Sequence, residues 1–135
     1  MARIIMVEDD EILAEIMSDG LAAAGHMVSA VHHGDDAMRA IGEGDPDLLV
    51  LDYDLPGRSG LDILRDIRAA PHGDELPVVM MSAKAGRLIP ARAHHDGVDD
   101  YLIKPVTPDM LLGRVEALLK SAALARVVSR KASAR

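Results

Sequence analysis

The sequence predicts an α/β fold in which a five-stranded, doubly wound parallel sheet carries helices on both faces. Short apolar runs alternate with helical segments five times along 135 residues, the order that builds a parallel sheet through crossover helices. Runs such as Leu48-Leu49-Val50-Leu51 are continuous rather than alternating, as in strands buried on both faces. Four of the runs end in polar residues, and in an open parallel sheet those carboxyl ends share the edge where ligands bind.

Arg3–Val7 reads as the first strand. Glu11–Ala24 reads as the first helix, with Ile12, Leu13, Ile16 and Leu21 on its apolar stripe and Gly25 as its stop. Met27–Val31 is the second strand, and Asp35–Glu43 a second helix ended by the segment Gly42 to Pro46. Leu48–Asp52 is the third strand. Ser59-Gly60-Leu61-Asp62 has capping-box spacing, with Asp in place of Glu, and opens a third helix reaching about Ala69. Pro77–Ser82 is the fourth strand. Gly86 and Pro90 confine the fourth helix to Pro90–His95, with Pro90 at its first position. Tyr101–Lys104 is the fifth strand. Thr107-Pro108-Asp109 supplies a cap, a first-position proline and a first-turn acid for a fifth helix running to about Leu124. The last ten or so residues are expected to fray.

The length fits one domain, and neither a repeat nor a low-complexity segment interrupts the pattern. Residues 1–121 are taken as the domain, and 122–135 as a basic C-terminal helix end or tail. With no cysteine, disulfides and thiolate metal sites are excluded. Two tyrosines are the only aromatics, too few for the stacking platforms of single-strand nucleic-acid binding. The net charge of −7 is unevenly placed: residues 1–119 carry −12, and the segment from Lys120 onward carries +5. An acidic body disfavours direct contact with a phosphate backbone. The chain enters a strand almost at once without a signal-peptide pattern, and no run is long enough to span a membrane. A cytoplasmic protein without membrane contact is expected.

The strand ends define the candidate chemistry. Val7 leads into Glu8-Asp9-Asp10, Leu51 into Asp52, Met81 into Ser82-Ala83, and Ile103 into Lys104-Pro105. Glu8, Asp9 and Asp52 form a candidate Mg²⁺ site, because Mg²⁺ takes a few carboxylates together with water and phosphate oxygens. Such an ion would hold Asp52 ionised. An ionised carboxylate can attack phosphorus to give an aspartyl phosphate. Lys104 and the Ser82 hydroxyl suit the oxygens of a transferring phosphoryl group, although a lysine among carboxylates also forms a plain ion pair.

These segments resemble the receiver domains of bacterial two-component response regulators, over Arg3 to about Lys120. Val7-Glu8-Asp9-Asp10 is similar to the family's acidic pair. Leu51-Asp52-Tyr53-Asp54-Leu55-Pro56-Gly57-Arg58-Ser59-Gly60 is similar to its phosphoacceptor segment. Met81-Ser82-Ala83 is similar to its Thr/Ser-Ala step, and Asp99-Asp100-Tyr101-Leu102-Ile103-Lys104-Pro105 to its lysine segment. Four such motifs in order are highly specific. The resemblance implies a flavodoxin-like sheet with strand order 2-1-3-4-5. It implies Asp52 as phosphoacceptor, with Lys104 and Ser82 assisting. Mg²⁺ would be held by the side chains of Asp9 and Asp52 and the Asp54 backbone carbonyl, with Glu8 acting mainly through water. Ser82 and Tyr101 would be the switch pair, and the Lys104–Pro105 bond would be cis. The implied donor is a sensor histidine kinase or a histidine phosphotransfer protein. The implied readout is the face of the fourth helix, fifth strand and fifth helix, toward an unidentified target, with a homodimer on phosphorylation as one outcome.

The chain departs from the family's pattern at Val106, where Phe is usual, and across Ala85 to Val98, which lacks the acidic, Arg-containing pattern of the winged-helix transcription factors. Asp54 adds negative charge beside Asp52. Two alternatives stand beside the receiver reading. Asp52-Tyr53-Asp54 also matches the Asp-x-Asp of haloacid-dehalogenase-like phosphatases, but there the motif follows the first strand. The chain could also be the receiver of a longer DNA-binding regulator. The neighbouring pairs His32-His33 and His94-His95 do not share a face and are not expected to bind metal.

Overall fold

The computed structural model describes residues 1–83, 93–94 and 96–133. Five strands form one parallel sheet: β1 (Arg3–Val7), β2 (Met27–Val31), β3 (Leu48–Asp52), β4 (Val78–Ser82) and β5 (Asp100–Ile103). Their order is β2-β1-β3-β4-β5 with every pairing parallel, the arrangement expected from the resemblance. The helices are α1 (Glu11–Ala23), α2 (Ala37–Gly44), α3 (Gly60–Ala69) and α4 (Pro108–Ser133). The fourth helix predicted from sequence, together with Gly86, lies almost wholly outside the described residues, so the predicted fifth helix is α4 here.

Each face of the sheet has its own core, as alternation along buried strands requires. Ile4, Met6, Leu48, Val50, Val79 and Met81 pack beneath α1 and α4, against Met17, Leu21, Leu111 and Val115. Ile5, Val7, Leu49, Leu51, Val78 and Met80 pack beneath α2 and α3, against Ala37, Ile63, Leu64 and Ile67.

Local signals account for most boundaries. Asp10 caps α1 by accepting from the Leu13 N–H at 3.1 Å, and Gly25 follows its end at φ +96°, a backbone that glycine adopts at low cost. Ser59 and Asp62 close the predicted capping box of α3. The Thr107 hydroxyl accepts from the Met110 N–H at 3.1 Å and starts α4.

Three expectations are corrected. The apolar stripe of α1 is turned: Ile12 and Ile16 are 73% and 50% exposed, and Ala14, Met17 and Leu21 face the core. The second helix opens as a 3-10 turn, Gly34–Asp36, before α2. The C-terminal residues do not fray after Leu124; α4 continues to Ser133, through a segment that holds neither Gly nor Pro.

Candidate functional site

The strand order reverses between β1 and β3, and the crevice at that point lies at the carboxyl ends of the strands. Val7 pairs in register with Leu51, and Asp52 with Met81. Glu8 therefore follows β1 beside Asp52, the last residue of β3. Backbone pairing continues past the strands and fixes the next residues. The Glu8 N–H donates to the Val31 carbonyl at 3.0 Å, the Tyr53 N–H to Met81 at 2.8 Å, and the Lys104 N–H to Ser82 at 2.7 Å.

The predicted residues meet at this edge. Carboxylate oxygens of Glu8, Asp9 and Asp52 lie within 4.8 Å of one another. Glu8 and Asp52 are buried, while Asp9 is exposed at the mouth. The Lys104 ammonium donates to Glu8 Oε1 at 2.7 Å and stands 3.4 Å from Asp52 Oδ1. The Asp54 N–H donates to Asp52 Oδ1 at 3.1 Å, and His32 Nδ1 lies 3.0 Å from the Glu8 carbonyl oxygen. The Lys104–Pro105 peptide is cis, as the resemblance implied. His95 lies outside the described residues.

Ser82 is fully buried and shares the sheet face of Met80, whose in-register partner is Tyr101. Tyr101 is partly buried against the core on that face, with Ser82 as a hydrogen-bond partner. Ser82 has a second partner that its sequence position did not reveal. Its hydroxyl donates to Asp54 Oδ2 at 3.0 Å, and the Ala83 N–H donates to the same oxygen at 3.0 Å.

The charges shift one another. Burial, then the hydrogen bond with Asp52, raises the Glu8 carboxyl; Lys104 opposes this, and the net effect pushes it up to about 8. Burial lowers Lys104, but the Glu8 hydrogen bond and the charges of Asp52 and Glu8 outweigh it, and the ammonium is held above the ordinary lysine range. Burial raises Tyr101; its bond to Ser82 opposes the shift and the charge of Asp54 adds to it. Two carboxylates and one ammonium thus retain a proton that free carboxylates would release.

A stability slope follows from Glu8. Its folded pKa is raised, so its contribution is fully present below the ordinary carboxylate value and is lost as pH rises toward 8. Urea midpoints in EDTA should fall between pH 5 and pH 8, and Glu8→Gln should flatten that fall. An unchanged slope in Glu8→Gln would assign it to other groups.

Arg68 and Arg114 were not singled out from sequence, and both brace the β5 side. Arg68 donates to the carbonyls of Gly73, Leu76 and Gly97 and to Asp99, whose carboxylate also takes the Val78 N–H. Arg114 holds Asp100 through both carboxylate oxygens, at 2.7 and 2.8 Å, and ties α4 to β5. A groove of about 490 Å³ between Met38, Ile41, Ile67, Pro71 and Leu76 contains none of the predicted site residues.

The chain is similar to known proteins in sequence and in fold. The family model described as response regulator receiver domain matches residues 4–116. The phosphate regulon transcriptional regulatory protein PhoB of Rhizobium meliloti is 37% identical over 122 residues, which cover 90% of this chain and 54% of that protein. The DNA-binding response regulator MtrA of Mycobacterium tuberculosis is 37% identical over 118 residues, 87% of this chain and 50% of that one. The chain thus spans about half the length of these relatives. The crystal structure of a CheY-like response regulator receiver domain protein from Methanospirillum hungatei superposes with a TM-score of 0.86, covering 93% of this chain and 98% of that one, at 22% identity.

Proposed function

The chain belongs to the family of response-regulator receiver domains, and on that premise we propose that Asp52 accepts a phosphoryl group from a histidine-bearing partner. One observation carries the assignment to Asp52: a buried carboxylate ends the central strand, with two further acids and one lysine gathered around it. The partner is a sensor histidine kinase or a histidine phosphotransfer protein. An Asp52 oxygen attacks phosphorus, the P–N bond of the phosphohistidine breaks, and its electron pair leaves on the imidazole nitrogen. Lys104 and Ser82 donate to oxygens of the transferring group, whose charge needs compensation throughout.

The donor set fits Mg²⁺: hard carboxylate oxygens, close together, open to solvent at Asp9. Asp9 and Asp52 would hold the ion with the Asp54 carbonyl, and Glu8 would act through water from its place beside Lys104. When bound, the ion supplies positive charge for the phosphoryl oxygens and keeps Asp52 ionised.

The fold argues against a haloacid-dehalogenase-like phosphatase, because Asp52 ends the third strand in sequence. The chain is read as a stoichiometric acceptor within residues 1–121, with 122–135 as the basic end of α4. No helix among the described residues is long and apolar enough to cross a membrane, and a cytoplasmic location is part of the proposal. So is output through the β5–α4 face, to a protein target, to a second copy, or to an output domain of the kind that longer DNA-binding relatives imply.

Acetyl phosphate with Mg²⁺ should add a single phosphoryl group per chain, read by intact mass. EDTA should prevent it. Continuous phosphate release from a phosphomonoester, without a stable adduct, would overturn the receiver reading in favour of a phosphatase.

A further inference from the structure

Asp54 occupies the Ser82 hydroxyl, which the proposed function gives to the phosphoryl group, and the Ala83 N–H beside it. Its Oδ2 takes both the Ser82 hydroxyl proton and the Ala83 N–H, each at 3.0 Å. Ser82 is fully buried, and its hydroxyl has one proton to give. The carboxylate reaches across from the segment after β3 to the end of β4, far from it in sequence. Helix capping does not explain this position, because Ser59 and Asp62 already cap α3. The Asp54 N–H donates to Asp52 Oδ1 at 3.1 Å, so the backbone that carries this carboxylate is held beside the acceptor. A carboxylate oxygen and a phosphoryl oxygen are the same kind of partner: anionic, and taking charge-assisted hydrogen bonds.

We propose that Asp54 is an internal competitor of the phosphoryl group, holding Ser82 and Ala83 in the unphosphorylated chain and yielding them when Asp52 is loaded. The proposal rests on the reading of Asp52 as phosphoacceptor. Like-charge repulsion alone would also make Asp54 unfavourable for an incoming anion, but it would act whether or not Ser82 has a hydroxyl. Competition acts through the shared donors. The two mechanisms therefore separate in a double-mutant cycle. Asp54 is on this account a positioning residue: it decides when the donors are available and does not itself touch the reacting bond.

The test is titration of the full chain with beryllofluoride in Mg²⁺, followed by the backbone amide resonances, for wild type, Asp54→Ala, Ser82→Ala and the double variant. Competition for charge-assisted bonds predicts about tenfold tighter binding in Asp54→Ala than in wild type. In the Ser82→Ala background only the Ala83 N–H is still contested, and the gain from Asp54→Ala should shrink to about threefold or less. The Ala83 amide proton should move upfield in ligand-free Asp54→Ala and return downfield with beryllofluoride. In wild type it should change little, because one anionic acceptor replaces another. Equal gains in both backgrounds, or no gain, would overturn the proposal while leaving the receiver reading intact. Failure of wild type itself to bind beryllofluoride would overturn both, so the two failures are distinguishable. Thermal unfolding of each variant checks that affinities are compared between folded chains.

Discussion

Asp52→Asn should accept no phosphoryl group from acetyl phosphate or from a phosphorylated histidine donor, with labelling below about 1% of wild type. The amide is close to isosteric, so the β3 end and the turn after it keep their shape. What is lost is the anionic oxygen that attacks phosphorus. The variant should nonetheless be more stable than wild type in EDTA. Asp52 contributes to the raised pKa of Glu8 both through a hydrogen bond and through its charge, and removing that charge relieves like-charge crowding in a buried site. Intact-mass spectrometry checks the first outcome and urea unfolding the second. Labelling of Asp52→Asn at the wild-type rate would move the acceptor elsewhere.

Gly60→Ala should lower the free energy of unfolding by about 3 kcal/mol, the upper part of the range for overpacking. A Cβ at Gly60 would lie 2.5 Å from the Asp52 carbonyl oxygen and 2.8 Å from the Tyr53 Cα. Both are backbone atoms, so no side chain can swing aside. The Gly60 N–H also donates to the Tyr53 carbonyl at 3.0 Å, which pins the first turn of α3 against the peptide following the acceptor. Relief requires α3 or the Asp52–Tyr53 backbone to move, and either displaces the acceptor relative to Lys104. Slower phosphorylation should therefore accompany the lower urea midpoint. A variant with wild-type stability and rate would show that this contact is looser than its geometry indicates.

Much of this was legible from residue order. Continuous apolar runs ending in Asp52, Ser82 and the lysine segment gave the sheet and its functional edge, because parallel strands place their carboxyl ends together. Capping chemistry located the starts of α3 and α4, since Ser59, Asp62 and Thr107 act within one turn. The misread parts depend on contacts between distant segments. Ile12 and Ile16 look like core residues on a helical wheel, but the face of α1 that packs on the sheet carries Ala14, Met17 and Leu21. Asp54 is visible in the sequence as an acid near an acid. Its bond to Ser82 spans 28 residues and follows only from the register of β3 with β4. The same holds for Arg68, whose carbonyl partners lie on the segment Gly73–Leu76 and at Gly97. At the far end of α4, Leu124, Val127 and Val128 stand at i, i+3 and i+4 and yet are exposed, so the continuation of the helix is not tied to burial of an apolar face.

The uninterrupted length of α4 gives it a long lever arm. At 1.5 Å per residue its 26 residues measure about 39 Å. Its first half is seated on the sheet through Leu111 and Val115 and clasped to β5 by Arg114. From Ala123 onward the described side chains are exposed. A rocking of about 5° at the seated half would sweep the far end through roughly 3 Å, by the arc of a rod of that length. A displacement too small to alter the sheet would thus become one large enough to make or break a contact at the other end of the molecule.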